Sequence, residues 1–202
     1  VLDSTIKGIS KAYHVRILNL NEIVNDSIGD VFFKITYCPL CGSGVAFDSS
    51  VNGQVLSFGV SGLLYNSDVL LYDRETESLW SQLLSTAVTG KYKGAALKML
   101  PVMHTTWKDW KRFHPSTLVL SKNTGYGRSY NRDPYAGYDE SSHLYFPVFN
   151  KAPKKYHPKE KVLGLAVGDV YKAYPFIELN KNKINRLTDT VNGKVLTIHW
   201  NQ

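Results

Sequence analysis

The feature that most constrains this chain is a succession of short runs rich in β-branched and aromatic residues, each closed by turn chemistry. They are KAYHVRIL (11–18), VFFKITY (31–37), GVAFD (44–48), QVLSFGV (54–60), DVLLYD (68–73), TLVLS (117–121), VLGLAV (162–167) and KVLTIHW (194–200). Runs of this length and composition read as strands. Asn52-Gly53 joins two of them and Asn192-Gly193 precedes the last, a hairpin signal because both residues tolerate positive φ. Helix signals are few. TTWKDWKRFHP predicts one short amphipathic helix at 105–114, with Thr106 three residues before Asp109 as in a capping box and Pro115 as its stop. Trp107, Trp110 and Phe113 fall along one face of it, and core packing is the expected use of that face. A shorter helix is expected around NEIVND (21–26). The segment GYGRSYNRDPYAGYDESS (125–142) has no usable period and reads as an irregular aromatic loop that lines a cleft or wraps the sheet. The fold class expected is α+β, predominantly antiparallel β, in a single domain over 1–202 with a few short helices. At 202 residues one well-buried core is within reach.

An echo runs through the chain. KAYHVRILN…NDSIGDVFFKITY (11–37) is matched by KAYPFIELN…TDTVNGKVLTIHW (172–200), with Asp26 answering Asp189, Ile35 answering Ile198 and Tyr37 answering Trp200. A duplicated β unit and two ordinary segments sharing turn residues are both open readings. On the first, the cysteine loop after Tyr37 is an addition to a structural unit.

Composition narrows the function classes. No apolar run approaches the ~18–20 residues that cross a bilayer, so no membrane span is expected. The net charge of +7 comes from scattered lysines and arginines, densest in the proline-bearing KAPKKYHPKEK (151–161), which reads as an exposed connector. No nucleic-acid partner is expected, because no reader motif accompanies the charge. The chain begins at Val1 rather than methionine, as expected of a processed or trimmed protein.

The chemistry concentrates in YCPLCGSG (37–44), which holds the only two cysteines, Cys38 and Cys41. Three readings compete. As a redox dithiol, one sulfur attacks as thiolate and the other resolves the mixed disulfide. The arrangement differs from thioredoxin, whose motif opens a helix; here Cys41 is followed by GSGVAFD, a tight turn into a strand. Cys41 is the better nucleophile on this reading, because the Gly-Ser-Gly backbone can approach it. As a metal site, two thiolates suit copper or zinc, but a structural zinc site wants four ligands and no second Cys-x-x-Cys exists. His104, just before the predicted helix, is the candidate further ligand. The third reading is a non-catalytic interaction module whose cysteines only shape a loop; so small a ring would restrain the unfolded chain little.

The blocks NEIVND, TYCPLCGSGVAFD, FGVSGLLYNSDVLLYDRETESLWSQ, TTWKDWKRFHPSTLVLS and RDPYAGYD follow one another in the order of a known family. Over nearly its whole length the chain is similar to the prokaryotic domain-of-unknown-function family 3179. Some relatives carry selenocysteine, which implies a redox-active chalcogen and hence a possible thiol oxidoreductase with a redox partner protein. Relatives often bear export signals or lipid anchors, which implies an extracytoplasmic setting: periplasmic, secreted or lipid-anchored. The matching blocks supply Ser61, Tyr65, Asp73, Arg74 and Gln82 as candidates for the polar wall of a pocket, with Arg128 and Tyr130 from the later blocks. Asp73, Arg74 and Thr76 read equally well as a turn with an ion pair, and Trp80 as core. Where relatives often have histidine before EIVND, this chain has Asn21.

Overall fold

The strand 31–38 organises the first part of the molecule, because its side chains enter two hydrophobic clusters alternately. Phe33, Ile35 and Tyr37 join one cluster, while Cys38 lies in the other. Every residue from Phe33 to Cys38 is buried, as expected of a strand in the middle of three layers. The computed structural model describes residues 1–182 and 185–200. It divides into two compact units, 1–138 with 145–149, and 139–144 with 150 onward.

In the first unit the chain runs β1 (Leu2–Ile6), β2 (Ile9–Tyr13), α1 (Val15–Asn21), β3 (Ile23–Ile28), β4 (Val31–Cys38) and β5 (Ser43–Asp48). A small hairpin follows, β6 (Ser50–Val51) and β7 (Gln54–Val55), then β8 (Phe58–Tyr65), β9 (Asp68–Asp73), β10 (Leu79–Ser81) and β11 (Thr86–Ala87). The unit continues with β12 (Met99–Leu100), β13 (Met103–His104), α2 (Trp107–Phe113) and β14 (Leu118–Val119). Three four-stranded sheets result, ordered β13-β1-β2-β14, β12-β5-β4-β3 and β11-β10-β9-β8. All the pairings are antiparallel except β14 on β2. The middle sheet packs Phe33, Ile35 and Ala46 toward Leu2 and Tyr13 of the first sheet. Its other face packs Val45 and Phe47 against Phe58, Leu71 and Trp80 of the third. The expected class, α+β and predominantly antiparallel β, is what the structure has.

Two local expectations are corrected. KAYHVRIL is not one strand: it leaves β2 at Tyr13 and turns into α1, with His14 Nδ1 accepting from the Arg16 N–H at 3.1 Å. Val15 and Leu18, one helical turn apart, pack into the inner cluster, and that tertiary burial overrides the β propensity of the run. NEIVND is not a helix. Glu22 caps α1 in the left-handed region, and Ile23 onward pairs along β4 as β3. The predicted helix at 105–114 is present as α2, with Thr106 Oγ1 accepting from the Asp109 N–H at 3.1 Å. Of its three aromatic residues only Trp110 is buried; Trp107 and Phe113 are exposed. The segment 125–142 carries no helix or strand, as expected.

The second unit holds the antiparallel pair β15 (Val162–Val167) and β16 (Val170–Pro175), then α3 (Phe176–Leu179), a 3₁₀ turn at Asn180–Asn182, and the hairpin β17 (Arg186–Val191) with β18 (Lys194–His199). The echo at 172–200 crosses residues 183 and 184, which lie outside the described residues. On either side of them the elements follow the order of 11–37: strand, short helix, hairpin. The polar contacts match as well. Asp26 accepts from Lys11 Nζ at 2.8 Å and from the Tyr13 hydroxyl at 2.7 Å. Asp189 accepts from Lys172 Nζ and from the Tyr174 hydroxyl at 2.7 Å.

Candidate functional site

β4 delivers Cys38 as its last residue, on the face that looks toward the third sheet, and the chain then turns through Pro39–Gly42 into β5. Two glycines make that turn possible. Gly42 has φ +62°, and a Cβ on Gly44 would lie 2.4 Å from the methyls of the fully buried Leu2. No helix follows Cys41, so the helix N-terminus that activates thioredoxin-type cysteines is not part of this site.

The two thiols are free, Cys38 buried and Cys41 exposed. Cys38 Sγ donates to the Ser67 carbonyl at 3.8 Å, and Cys41 Sγ lies 3.8 Å from the Cys38 carbonyl. The third member of the group is Asp68, the first residue of β9. Its Oδ1 accepts from Cys41 Sγ at 3.7 Å, while Oδ2 is held by the Ser81 hydroxyl at 3.2 Å and the Leu83 N–H at 3.0 Å. The two sulfurs and a carboxylate oxygen all lie within 4.8 Å of one another, a cluster able to hold a metal ion.

Electrostatically the thiols divide their roles. The Cys41 S–H directed at the Cys38 sulfur holds Cys38 below the ordinary thiol range. The same hydrogen bond, then burial and the neighbouring negative charge, push Cys41 up. Burial also raises the Asp68 carboxyl. The pair thus shares one proton more readily than it loses two.

The aromatic loop closes around this end of the unit. Arg128 donates to the Leu20 carbonyl at the end of α1, Asn21 donates to the Tyr130 hydroxyl at 3.0 Å, and Asn19 donates to Asp133 at 2.8 Å. Farther along, Tyr135 and Tyr138 are raised by burial first and, among other charges, by that of Cys38. Tyr138 packs on Tyr145 with ring centroids 4.3 Å apart. Asn21 therefore serves the latch that holds the loop on α1.

The other sequence candidates separate into two groups. Gln82 is near the thiols: it is fully buried and donates to Thr36 Oγ1 at 2.9 Å and to the Ser43 carbonyl at 3.3 Å, with its own Oε1 left without a partner. Arg128 and Tyr130 fasten the loop. Ser61 is bound to the Leu70 carbonyl at 2.6 Å, beside the bulge in β8. Asp73 is a fully buried turn anchor, accepting from the Thr76 N–H at 2.6 Å and from Trp80 Nε1 at 2.9 Å. Arg74 lies against Tyr72, to whose hydroxyl it donates at 2.9 Å, and makes no ion pair with Asp73. Tyr65 is half exposed and meets Phe149 edge to face. His104 is not in the thiol cluster. It packs edge-on against Tyr37, whose side chain leaves β4 on the face opposite Cys38, and Asp68 stands where that ligand was expected. Asp68 lies 27 residues beyond Cys41, and its one sequence signal is a carboxylate at the head of the strand DVLLYD, which a second carboxylate, Asp73, closes.

Neither a curated protein nor a solved structure matches the chain. One family does, over residues 1–202 and hence over the cysteine turn, the Asp68 strand and the aromatic loop together. The chain belongs to the family described as protein of unknown function, DUF3179.

Proposed function

We propose that this protein is an extracytoplasmic thiol–disulfide oxidoreductase domain in which Cys38 and Cys41 cycle between dithiol and disulfide. The observation that carries the reading is the pairing of one exposed and one buried free thiol, with the Asp68 carboxylate against the exposed one. Cys41, the more exposed of the two, is the sulfur a substrate meets; its S–H is directed at the Cys38 sulfur, the lower-pKa member of the pair, which takes up the Cys41 proton as Cys41 attacks. The Cys41 sulfur attacks one sulfur of a substrate disulfide; that S–S bond breaks and the leaving thiolate takes up a proton. Cys38, shielded at 1% exposure, then attacks the Cys41 sulfur of the mixed disulfide. The internal disulfide forms, the second substrate thiol leaves, and two electrons with two protons have passed to the substrate. The extracytoplasmic setting rests on the family resemblance alone.

Alkylation followed by mass spectrometry across a glutathione redox-buffer series tests this. The expected outcome is a sharp two-electron transition of the folded protein. A pair that stays reduced throughout, or oxidises only after denaturation, contradicts it. A second reading, soft-metal binding, is favoured by the clustering of Cys38, Cys41 and Asp68 donor atoms. Two thiolates with a carboxylate and a fourth position left open suit zinc better than Cu(I), which prefers sulfur alone. Metal analysis of the reduced protein separates the two, since stoichiometric zinc lost in Cys38→Ser and Asp68→Asn belongs only to the second.

A further inference from the structure

We infer that the substrate of the Cys38–Cys41 site is a disulfide carried on an apolar polypeptide segment, rather than a small charged disulfide such as that of glutathione. The inference rests on the dithiol reading above. Four stretches of chain meet at the thiols, and their contacts are explicit. The cysteine turn touches the β8–β9 turn through Cys38 and Ser67. Leu83, after β10, binds Asp68 through its backbone. The end of the aromatic loop is tied on as Ser67 Oγ donates to the Phe146 carbonyl at 3.0 Å and the Phe149 N–H donates to Asn66 at 2.6 Å.

These stretches are poor in charge. Residues 35–47, 49–67, 78–90 and 145–149 contain no lysine, arginine, aspartate or glutamate, in a protein with 41 of them. Asp68, at the centre, is buried. Of the loop charges in this unit, Arg128 and Asp133 are held on Leu20, Asn21 and Asn19, and Arg132 is exposed. What the stretches expose instead is apolar: Tyr65, Leu83, Leu84, Tyr145, Phe146 and Phe149 are each between 43% and 75% exposed. Large exposed apolar groups collected at one place mark a contact surface. The thiol at its centre requires that the occupant bring sulfur. Each half of glutathione disulfide carries two carboxylates and an ammonium and needs charged partners, which these stretches do not supply. A peptide whose cysteine is flanked by leucine or phenylalanine buries its side chains on the same surface.

The test compares reduced protein against three disulfides: hydroxyethyl disulfide, and glutathione and the pentapeptide Leu-Phe-Cys-Leu-Val each joined to nitrothiobenzoate, so that the last two share a leaving group. The pentapeptide is expected to react at least about tenfold faster than the glutathione conjugate, a ratio of the size that a few buried side chains produce. In the variant carrying Leu83→Ser and Phe149→Ser the ratio is expected to fall toward one, while Val119→Ser on β14 leaves it unchanged. Equal rates in the wild type, or a ratio that survives the double substitution, overturn the inference. So does binding to phosphatidylglycerol vesicles that the double substitution abolishes without altering the ratio, since the surface would then face lipid. Failure to react with hydroxyethyl disulfide overturns the dithiol reading itself, and is thereby distinguishable.

Discussion

Lys34 shows how the middle layer treats a residue that its sequence would place in water. It stands in β4 with no exposed surface, its ammonium 3.6 Å from the centre of the Phe58 ring and 3.1 Å from the Asp48 carbonyl. Burial pushes its pKa down to about 7. Because the folded value lies below the unfolded one, near 10.4, the unfolded chain binds more protons between them. Stability therefore rises with pH across that window, by up to about 1.4 kcal/mol per pH unit. Lys34→Met is expected to be more stable than the wild type at pH 7, with the gain shrinking toward pH 10; urea denaturation at both values measures it. In the run VFFKITY, a lysine by itself carries no signal of burial. A single sequence does not tell how many layers cover a strand, so the double burial of 33–38 was not legible in it. Asp68 escaped for a related reason, since its role arises from a contact across sheets.

At the level of elements, the hairpins were the most legible. Asn52 and Asn192 both adopt positive φ ahead of their glycines, and the turns fall where Asn-Gly placed them. The capped helix α2 was legible because its start and stop are local chemistry. α1 and β3 were misread, since the short runs VRILNLN and IVNDSI carry no decisive local preference and packing chose for them. The cysteine turn was legible as a turn into a strand, but the reason for its second glycine was not. Gly44 makes room for Leu2, a residue 42 positions earlier. Gly44→Ala is expected to lower stability by about 1–3 kcal/mol through overpacking. Combining it with Leu2→Ala is expected to cost less than the sum of the single changes, because the truncated side chain vacates the space; denaturation of the three variants checks the coupling.

Across the whole molecule, a Lys–Tyr–Asp contact recurs in both units, at Lys11, Tyr13 and Asp26 and again at Lys172, Tyr174 and Asp189. The chemistry-bearing turn follows the first occurrence only, directly after the hairpin of β3 and β4. Charge is distributed in the same sense: lysines and arginines crowd elsewhere in the +7 chain, and the stretches around the thiols carry none. A scaffold of ordinary strands thus presents one pair of free thiols beside a single buried carboxylate. The most direct measurement is mass spectrometry of Cys38→Ser and Cys41→Ser proteins after reaction with the pentapeptide disulfide. The account predicts that Cys38→Ser accumulates a stable adduct on Cys41, that Cys41→Ser forms none while folded, and that the wild type passes on to the internal disulfide. An adduct on Cys38 in the folded Cys41→Ser protein, or none on either, would contradict it.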